Sequence, residues 1–366
     1  MNILIIGEFS AFAKHLKNGF EQLGHRVVVT ATGDGWKGLK GTGEDIFYEK
    51  RVLRVFGKVI PGSAHLFAAN TNNSLLKDIY SRFPNGVDLI VVIHYGFLSS
   101  NCFEAGVGIG YVRNQIATGA KLIMSICAGD PAGWYAYKEK YKEWGMSASV
   151  HKDNRYSFLL QNSDVIIPIT YSYYYAISKY AEYENFDIRK IHNAIPLPMT
   201  LDNSFNFSSC VGRKIVVFHG IIRPKMKGTY YIQPAMERLQ KEFPDKVECV
   251  CMGKIPYDEY VKLFDRIDIL IDQATNNGWG VNAAIGAMKG KCVLVSCGKE
   301  NGVNMGFDDV PFVEIKRDTN NIYQVLKELV LNPNRIDEIK KASRRFMEDH
   351  CECGVVAKQY LRAVGL

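Results

Sequence analysis

The chain has 366 residues, of which 47% are hydrophobic and 23% charged, and a formal net charge of +7. This length predicts two globular domains, each with a core of its own, and the composition excludes a disordered or fibrous chain. The charge is too small for a dedicated nucleic-acid binder and fits either a solvated basic surface or an anionic partner, whether substrate or membrane.

No apolar stretch approaches the roughly 18 residues that cross a bilayer. The N-terminal run MNILIIGEFS has neither a basic region before it nor a cleavage-type site after it, so no secretory signal is expected. The nine cysteines are odd in number and scattered. Cys249, Cys251 and Cys292 sit in strand-like runs and read as buried, reduced thiols of a cytosolic protein. His350, Cys351 and Cys353 are close together, but no second cysteine-rich knuckle completes a zinc site, so no metal is expected.

In chain order, residues 2–6 form a continuous apolar run, the mark of a strand buried on both faces. Ser10 is placed to cap a helix with Phe12, Leu16, Phe20 and Leu23 on one face. Gly24 ends that helix, and 26–30 is the next strand. Strands follow at 87–93, 121–126 and 164–168, with a helix-like stretch reaching about 118 and a helix near 155–161. Residues 196–213, rich in Pro, Asn and Ser, read as an interdomain linker. A second series then begins: strands at 214–219, 246–252, 267–272 and 292–296, and helices at 229–243, 257–266 and 281–288. Helices near 322–331 and 335–349 and a last one to about 362 complete it. Strands alternating with helices imply parallel sheets with helices on both faces. The expected domains are 1–195 and 214–350, with a last helical segment at 351–366.

Two segments carry chemistry. After the strand ending at His219, Gly220 allows a sharp turn, and Arg223, Lys225 and Lys227 crowd three cations before Gly228 and a helix. A diphosphate needs such cations, and Arg grips phosphate in two places where Lys is a point charge. Further on, Asp268–Gln273 is followed by a small-residue loop and a helix. Gly278 and Gly280 permit close backbone approach there, and Val281 and Asn282 open the helix whose N–H groups form an anion site.

Over residues 214–296 these features resemble the family-four glycosyltransferases, the retaining group with the GT-B fold. The resemblance rests on Gly220, Arg223 and Lys227-Gly228, on the strand Asp268-Ile-Leu-Ile-Asp-Gln273, and on the helix from Gly280 through Ala287-Met288 to Gly290-Lys291. Weaker matches are Leu23-Gly24-His25-Arg26-Val27 and Ile191-His-Asn-Ala-Ile-Pro196. It implies two Rossmann-like doubly wound domains facing a cleft, with the last helix, 351–366, crossing back to the first. It also implies transfer, with retention, of a sugar from a nucleotide-sugar donor to a glycan or lipid-linked acceptor, as in bacterial surface polysaccharide assembly. By the same resemblance Arg223 and Lys227 hold the donor diphosphate without a metal or other cofactor. Gly253 and Lys254 lie near the nucleotide base, and Gly7 borders the sugar. His94 and Asp130 are the first-domain candidates for catalysis or acceptor contact.

The chain departs from the family pattern in places. The usual pair of glutamates around the second-domain loop is missing: an ungapped reading puts Asn277 and Ile285 there, a one-residue shift puts Gly286 at the second place, and Asn277 or Asn282, with backbone N–H groups, is the partial substitute. Cys127 falls near the place of a family histidine and reads as a packing residue. Two alternatives therefore stay open: a catalytically degenerate binding subunit, and a sugar-nucleotide epimerase of the same shape. Other signals are weaker. Gly106-Val-Gly-Ile-Gly110 mimics a dinucleotide fingerprint but lacks the preceding strand at the right spacing. Asp308-Asp309 reads as a solvated loop, and the tyrosines between 171 and 183 read as a helix packed partly into the core. Lys50, Arg51, Arg54 and Lys58 form a basic stretch suited to an anionic membrane surface, which would place the enzyme at the inner face of the membrane.

Overall fold

The computed structural model describes the chain except residues 34–42, 61–62, 146–151, 203–204, 222 and 254–256, with backbone alone at 257–261. The chain divides into two units. One comprises Met1–Ile169, Tyr173–Thr200 and Cys353–Leu366, the other Thr170–Ser172 and Leu201–Glu352. The stretch read as a linker is thus shared: Leu197 and Met199 are buried in the first unit, while 201–213 belongs to the second.

The first unit runs β1 (Asn2–Ile6), α1 (Phe12–Gln22), β2 (Arg26–Ala31), β3 (Ile46–Phe47), β4 (Arg54–Val55), β5 (Lys58–Val59), α2 (His65–Arg82) and β6 (Leu89–Val92). It continues with β7 (Leu98–Ser99), β8 (Val107–Gly108), α3 (Ile109–Ala117), β9 (Lys121–Ile126), α4 (Pro131–Glu143), α5 (Asn154–Asn162), β10 (Val165–Pro168) and α6 (Tyr171–Glu184). Six parallel strands pair in the order β10-β9-β6-β1-β2-β3. Ranked along the chain, this is the 3-2-1-4-5-6 order of a Rossmann sheet. Ile3, Leu4, Ile5 and Ile6 are wholly buried because β1 lies centrally, between β2 and β6. In α6, Tyr180 packs inside while Tyr175 and Tyr183 are exposed.

Two local expectations need correction. Ser10 does not cap α1: Ser10 and Ala11 both take left-handed backbone, φ 53° and 65°. The tight turn after β1 instead lets Glu8 Oε2 accept from the Lys14 N–H at 3.0 Å, and that carboxylate serves the helix start. The helix-like stretch up to 118 is helical only as α3. Gly106 explains the rest, since a Cβ there would lie 2.5 Å from the Phe97 carbonyl, where β7 and β8 pair.

The last helix, α14 (Cys353–Ala363), packs on α1 within this unit. Gly19 makes the approach possible, because a Cβ there would fall 2.0 Å from the Cys353 carbonyl oxygen. The Cys353 N–H donates to Met199 O at 2.9 Å, and the Tyr360 hydroxyl meets Ser125 Oγ at 2.9 Å.

The second unit runs β11 (Ile215–Gly220), α7 (Pro224–Lys227), α8 (Thr229–Glu242), β12 (Val247–Met252), α9 (Tyr257–Arg266), β13 (Ile269–Gln273), α10 (Val281–Met288) and β14 (Cys292–Val295). Then come α11 (Lys299–Asn304), β15 (Val313–Glu314), α12 (Thr319–Leu331) and α13 (Pro333–Phe346). Its parallel strands pair as β12-β11-β13-β14-β15, the 2-1-3-4-5 order. Val217, Ile269, Ile271 and Leu294 meet Ile232, Met236 and Leu239 of α8 and Leu326 of α12 in one core. At the amino ends of the strands, buried Asp268 accepts from Arg213 at 2.5 and 2.8 Å, from the Val216 N–H at 3.0 Å and from Lys340 at 3.2 Å. Cys292 is buried as expected. Cys249 and Cys251 are only half-buried, because β12 is an edge strand.

Candidate functional site

An open parallel sheet leaves a crevice beyond the carboxyl ends of its strands, at the point where strand order reverses. In the second unit that point lies between β11 and β13. The chain leaves β11 at Gly220 and enters a one-turn helix, α7, whose preceding residue Arg223 is left-handed at φ 55°. Left-handed backbone in a non-glycine residue stores strain and commonly marks a functional turn. Arg223 and Lys225 are exposed, and Lys227 is partly buried.

The end of β13 comes beside this loop. Lys227 Nζ donates to Asp272 Oδ1 at 2.5 Å, and Asn282 Nδ2 reaches the same oxygen at 3.2 Å. Burial pushes the Asp272 carboxyl up, but the Lys227 charge and bonds from Lys227, Asn282 and the Gly280 N–H outweigh it, and its pKa is lowered. Asp272 is therefore ionised. It neutralises part of the cationic loop and engages one of the three ammonium N–H groups of Lys227.

Backbone bonds lock the two loops together. The Ala274 N–H donates to Lys227 O at 2.9 Å, and the Thr275 hydroxyl donates to Met226 O. Gly228, at φ +78°, has Thr275 and Ala274 only 3.0–3.2 Å from where a Cβ would stand. The loop before α10 is braced as well. The Gly278 N–H donates to Ser296 O at 2.9 Å, and Gln273 Nε2 donates to Gly278 O at 2.8 Å. Gly280 is the extended residue before α10, so Val281 and Asn282 place first-turn N–H groups beside the Asp272–Lys227 pair. Asn277 lies close to Gly298, with its Oδ1 2.7 Å from where a Gly298 Cβ would be. Gly253 follows the edge strand, where a Cβ would lie 2.9 Å from Ile221 O. Lys254 lies outside the described residues.

Beneath the loop, His219 is fully buried. Its Nδ1 donates to Ile271 O at 2.9 Å, so its Nε2 accepts from the Thr229 hydroxyl at 2.9 Å. Burial lowers its pKa, and the neutral ring ties the start of α8 to β13. From sequence, Asp272 and Gln273 read as a polar pair near the site with a role left open, and His219 carries no site role. A second aspartate closing an otherwise apolar strand was the available signal for Asp272.

In the first unit the order reverses between β1 and β6. Gly7 has φ +104°, and a Cβ there would strike the Phe97 ring at 2.4 Å. Glu8 is buried. His94 lies edge-on to Phe9 at 5.4 Å. Its Nε2 donates to Gly129 O at 2.9 Å and its Nδ1 accepts from the Gly96 N–H at 3.0 Å. Burial lowers its pKa to about 4, so the ring is neutral at pH 7 with both nitrogens engaged by backbone. Asp130 caps α4: Oδ1 accepts from the Gly133 N–H and Oδ2 from the Tyr156 hydroxyl, each at 2.8 Å. Burial raises its carboxyl to about 6. Cys127 is held thiol by burial and points at Ile93 O. Gly7, His94 and Asp130 thus belong to one unit and the cationic loop to the other.

Among the described residues no three His, Cys, Asp or Glu side chains are grouped to hold a metal ion. No helix there is long and apolar enough to cross a membrane.

No family model and no curated protein matches the sequence. Solved structures match it along its length. HepE of Anabaena, in complex with UDP and glucose, is 12% identical with a TM-score of 0.63, and all of both chains is covered. A glycosyltransferase of Rickettsia africae is 13% identical at a TM-score of 0.58, covering 99% of this chain and 97% of its own. WaaG, a glycosyltransferase involved in lipopolysaccharide biosynthesis, is 10% identical at 0.58 with both chains fully covered. At these identities the likeness is one of fold, and that fold is GT-B, with two Rossmann-like units, as in these glycosyltransferases.

Proposed function

We propose that the chain is a glycosyltransferase that binds a nucleotide-sugar donor on its second unit and passes the sugar, with retention, to a glycan or lipid-linked acceptor. The observation that carries this is the cationic turn of Arg223, Lys225 and Lys227, bonded to the loop that opens α10. A leaving nucleoside diphosphate develops negative charge on its phosphate oxygens, and fixed donors aimed at that charge lower the barrier. Arg223 supplies a planar fork and Lys227 an ammonium oriented by Asp272, with the first N–H groups of α10 adjacent. These residues would serve the diphosphate without a metal. HepE was crystallised with UDP and with UDP-glucose, which makes uridine nucleotides the first to try. Retention, a cytoplasmic place at the inner face of the membrane and a part in surface polysaccharide assembly rest on the family resemblance.

The loss of the second family glutamate, whether Ile285 or Gly286 stands in its place, favours one second reading: a binding subunit without turnover. Thermal unfolding with UDP, GDP, ADP and CMP, each with and without magnesium, tests the site first. A ligand at 100 times its Kd adds about 2.7 kcal/mol. One diphosphate should stabilise the chain equally with and without magnesium. No response to any of the four defeats the donor-site assignment. A response without sugar transfer from the matching nucleotide sugars selects the binding subunit.

A further inference from the structure

The hairpin β4–β5 turns in two residues, Phe56 and Gly57, with φ of 48° and 78°. Two left-handed residues define a tight turn that Asn-Gly or Asp-Gly forms with least strain. A phenylalanine there is sterically costly, and no packing compensates, because Phe56 is 101% exposed. Leu53, Val55, Val59 and Ile60 are also exposed, interleaved with exposed Arg51, Arg54 and Lys58. No Asp or Glu occurs between Glu49 and Asp78. Lys50, grouped with these cations on sequence, turns away: its ammonium donates to Gly96 O at 2.9 Å.

The hairpin is held at its base. Buried Ser63 accepts from the Leu53 N–H at 2.8 Å and donates to Ile60 O at 2.7 Å. The patch extends onto α2 through exposed Leu66, and exposed Phe103 lies edge-on to His65 at 5.9 Å.

We propose that this hairpin docks the protein on an anionic bilayer, with Phe56 entering the headgroup layer and Arg51, Arg54 and Lys58 meeting lipid phosphates. Aromatic rings favour the interface, anionic lipid attracts adjacent cations, and the long basic stems lie along apolar surface with their charged ends in water. A second copy of the chain is the poorer occupant. An isologous contact sets the same patch against itself, which would oppose three cations to three. The hairpin also offers far fewer than the roughly 20–30 residues a side of a stable protein interface. Docking needs no transfer activity and uses none of the second unit's cationic loop.

The full chain is sedimented with vesicles of phosphatidylcholine, alone and with phosphatidylglycerol. Binding is expected with phosphatidylglycerol and should weaken as salt rises. Phe56→Asn suits the turn, leaves the charge unchanged and should weaken binding about tenfold. Arg54→Ser with Lys58→Ser should weaken it about 25-fold, or about fivefold per cation, equivalent to about 1 kcal/mol each. Both variants should keep the parent's nucleotide response and lose no stability, Phe56→Asn unfolding at or above the parent's midpoint because it relieves the turn, which separates loss of docking from loss of the donor site. Failure of the parent to bind phosphatidylglycerol vesicles, or parent-like binding by Phe56→Asn, overturns the proposal. A dimer in sedimentation equilibrium that Phe56→Asn dissolves would overturn it in favour of self-association.

Discussion

The ammonium of Lys227 lies 2.5 Å from the carboxylate of Asp272, with the lysine side chain 15% exposed and the aspartate fully buried. The pair makes Lys227 a structural member of the loop as well as a candidate phosphate ligand, and it separates Lys227 from exposed Arg223 in what a substitution can report.

Removing one partner of a buried pair leaves a charge uncompensated, at a cost of about 3–5 kcal/mol. Lys227→Ala and Asp272→Ala are both expected to lower stability by that order in urea unfolding. Lys227→Met combined with Asp272→Leu should recover most of the loss. Arg223 is exposed, so Arg223→Ala should cost no more than the roughly 1 kcal/mol of a surface interaction. A fall in nucleotide affinity on Arg223→Ala therefore reports binding directly, whereas that of Lys227→Ala must be read against the double variant.

Gly228 allows the cationic turn to sit against Ala274 and Thr275. Gly228→Ala places a Cβ at φ +78° and 3.0 Å from Thr275. Left-handed alanine costs about 1–2 kcal/mol, and the turn must also shift. We expect a stability loss of that order and a larger proportional loss of diphosphate binding, read by urea unfolding and nucleotide titration on the same protein.

Acid should destabilise the chain through three buried or half-buried histidines. Burial lowers His15 and His94 to about 4 and lowers His219 as well. Between pH 6.5 and 4 the unfolded chain takes up these protons and the folded chain does not. Their stabilisation is complete above 6.5 and is lost as pH falls towards 4. Asp130, raised to about 6, acts oppositely: its contribution is present below 3.8 and lost as pH rises through 6. The histidines outnumber it. The Thr200 N–H donates to His15 Nδ1 at 3.2 Å. His15→Gln keeps an acceptor there and should flatten the dependence of the urea midpoint between pH 4.5 and 6.5, by roughly 3 kcal/mol at most. An unchanged slope would falsify the neutral state of His15.

Two glycines within helices should respond to alanine in opposite directions. Gly19→Ala would meet the Cys353 backbone and detach α14 from α1, for a loss of about 3 kcal/mol or more. Gly110 in α3 has open space where its Cβ would stand, so Gly110→Ala should gain about 0.5–1 kcal/mol. Thermal midpoints of the two variants decide this.

Much of the architecture was legible in periodicity. The apolar runs at 2–6, 121–126 and 292–296 became central or doubly covered strands, and the helix at 281–288 has the bounds the sequence predicts. Expectation failed where a local signal met a tertiary constraint. Ser10 looked like a cap until the turn after β1 took left-handed backbone. Cys249 and Cys251 looked buried until β12 proved an edge strand. Helix α4 was missed because its cap, Asp130, is read as a cap only once Tyr156 and Gly133 close around it.

By itself the sequence determined the alternation of strands and helices, the position of the cationic turn and the glycines around it, because these depend on residue spacing and local backbone freedom. Tertiary structure alone decided the two strand orders, which place the crevice between β11 and β13. It also decided the pairing of Lys227 with a carboxylate 45 residues away, and Gly19 as the place where the last helix, expected to cross back, meets α1. Those outcomes depend on which surfaces meet at long range, and no local pattern of residues encodes that meeting.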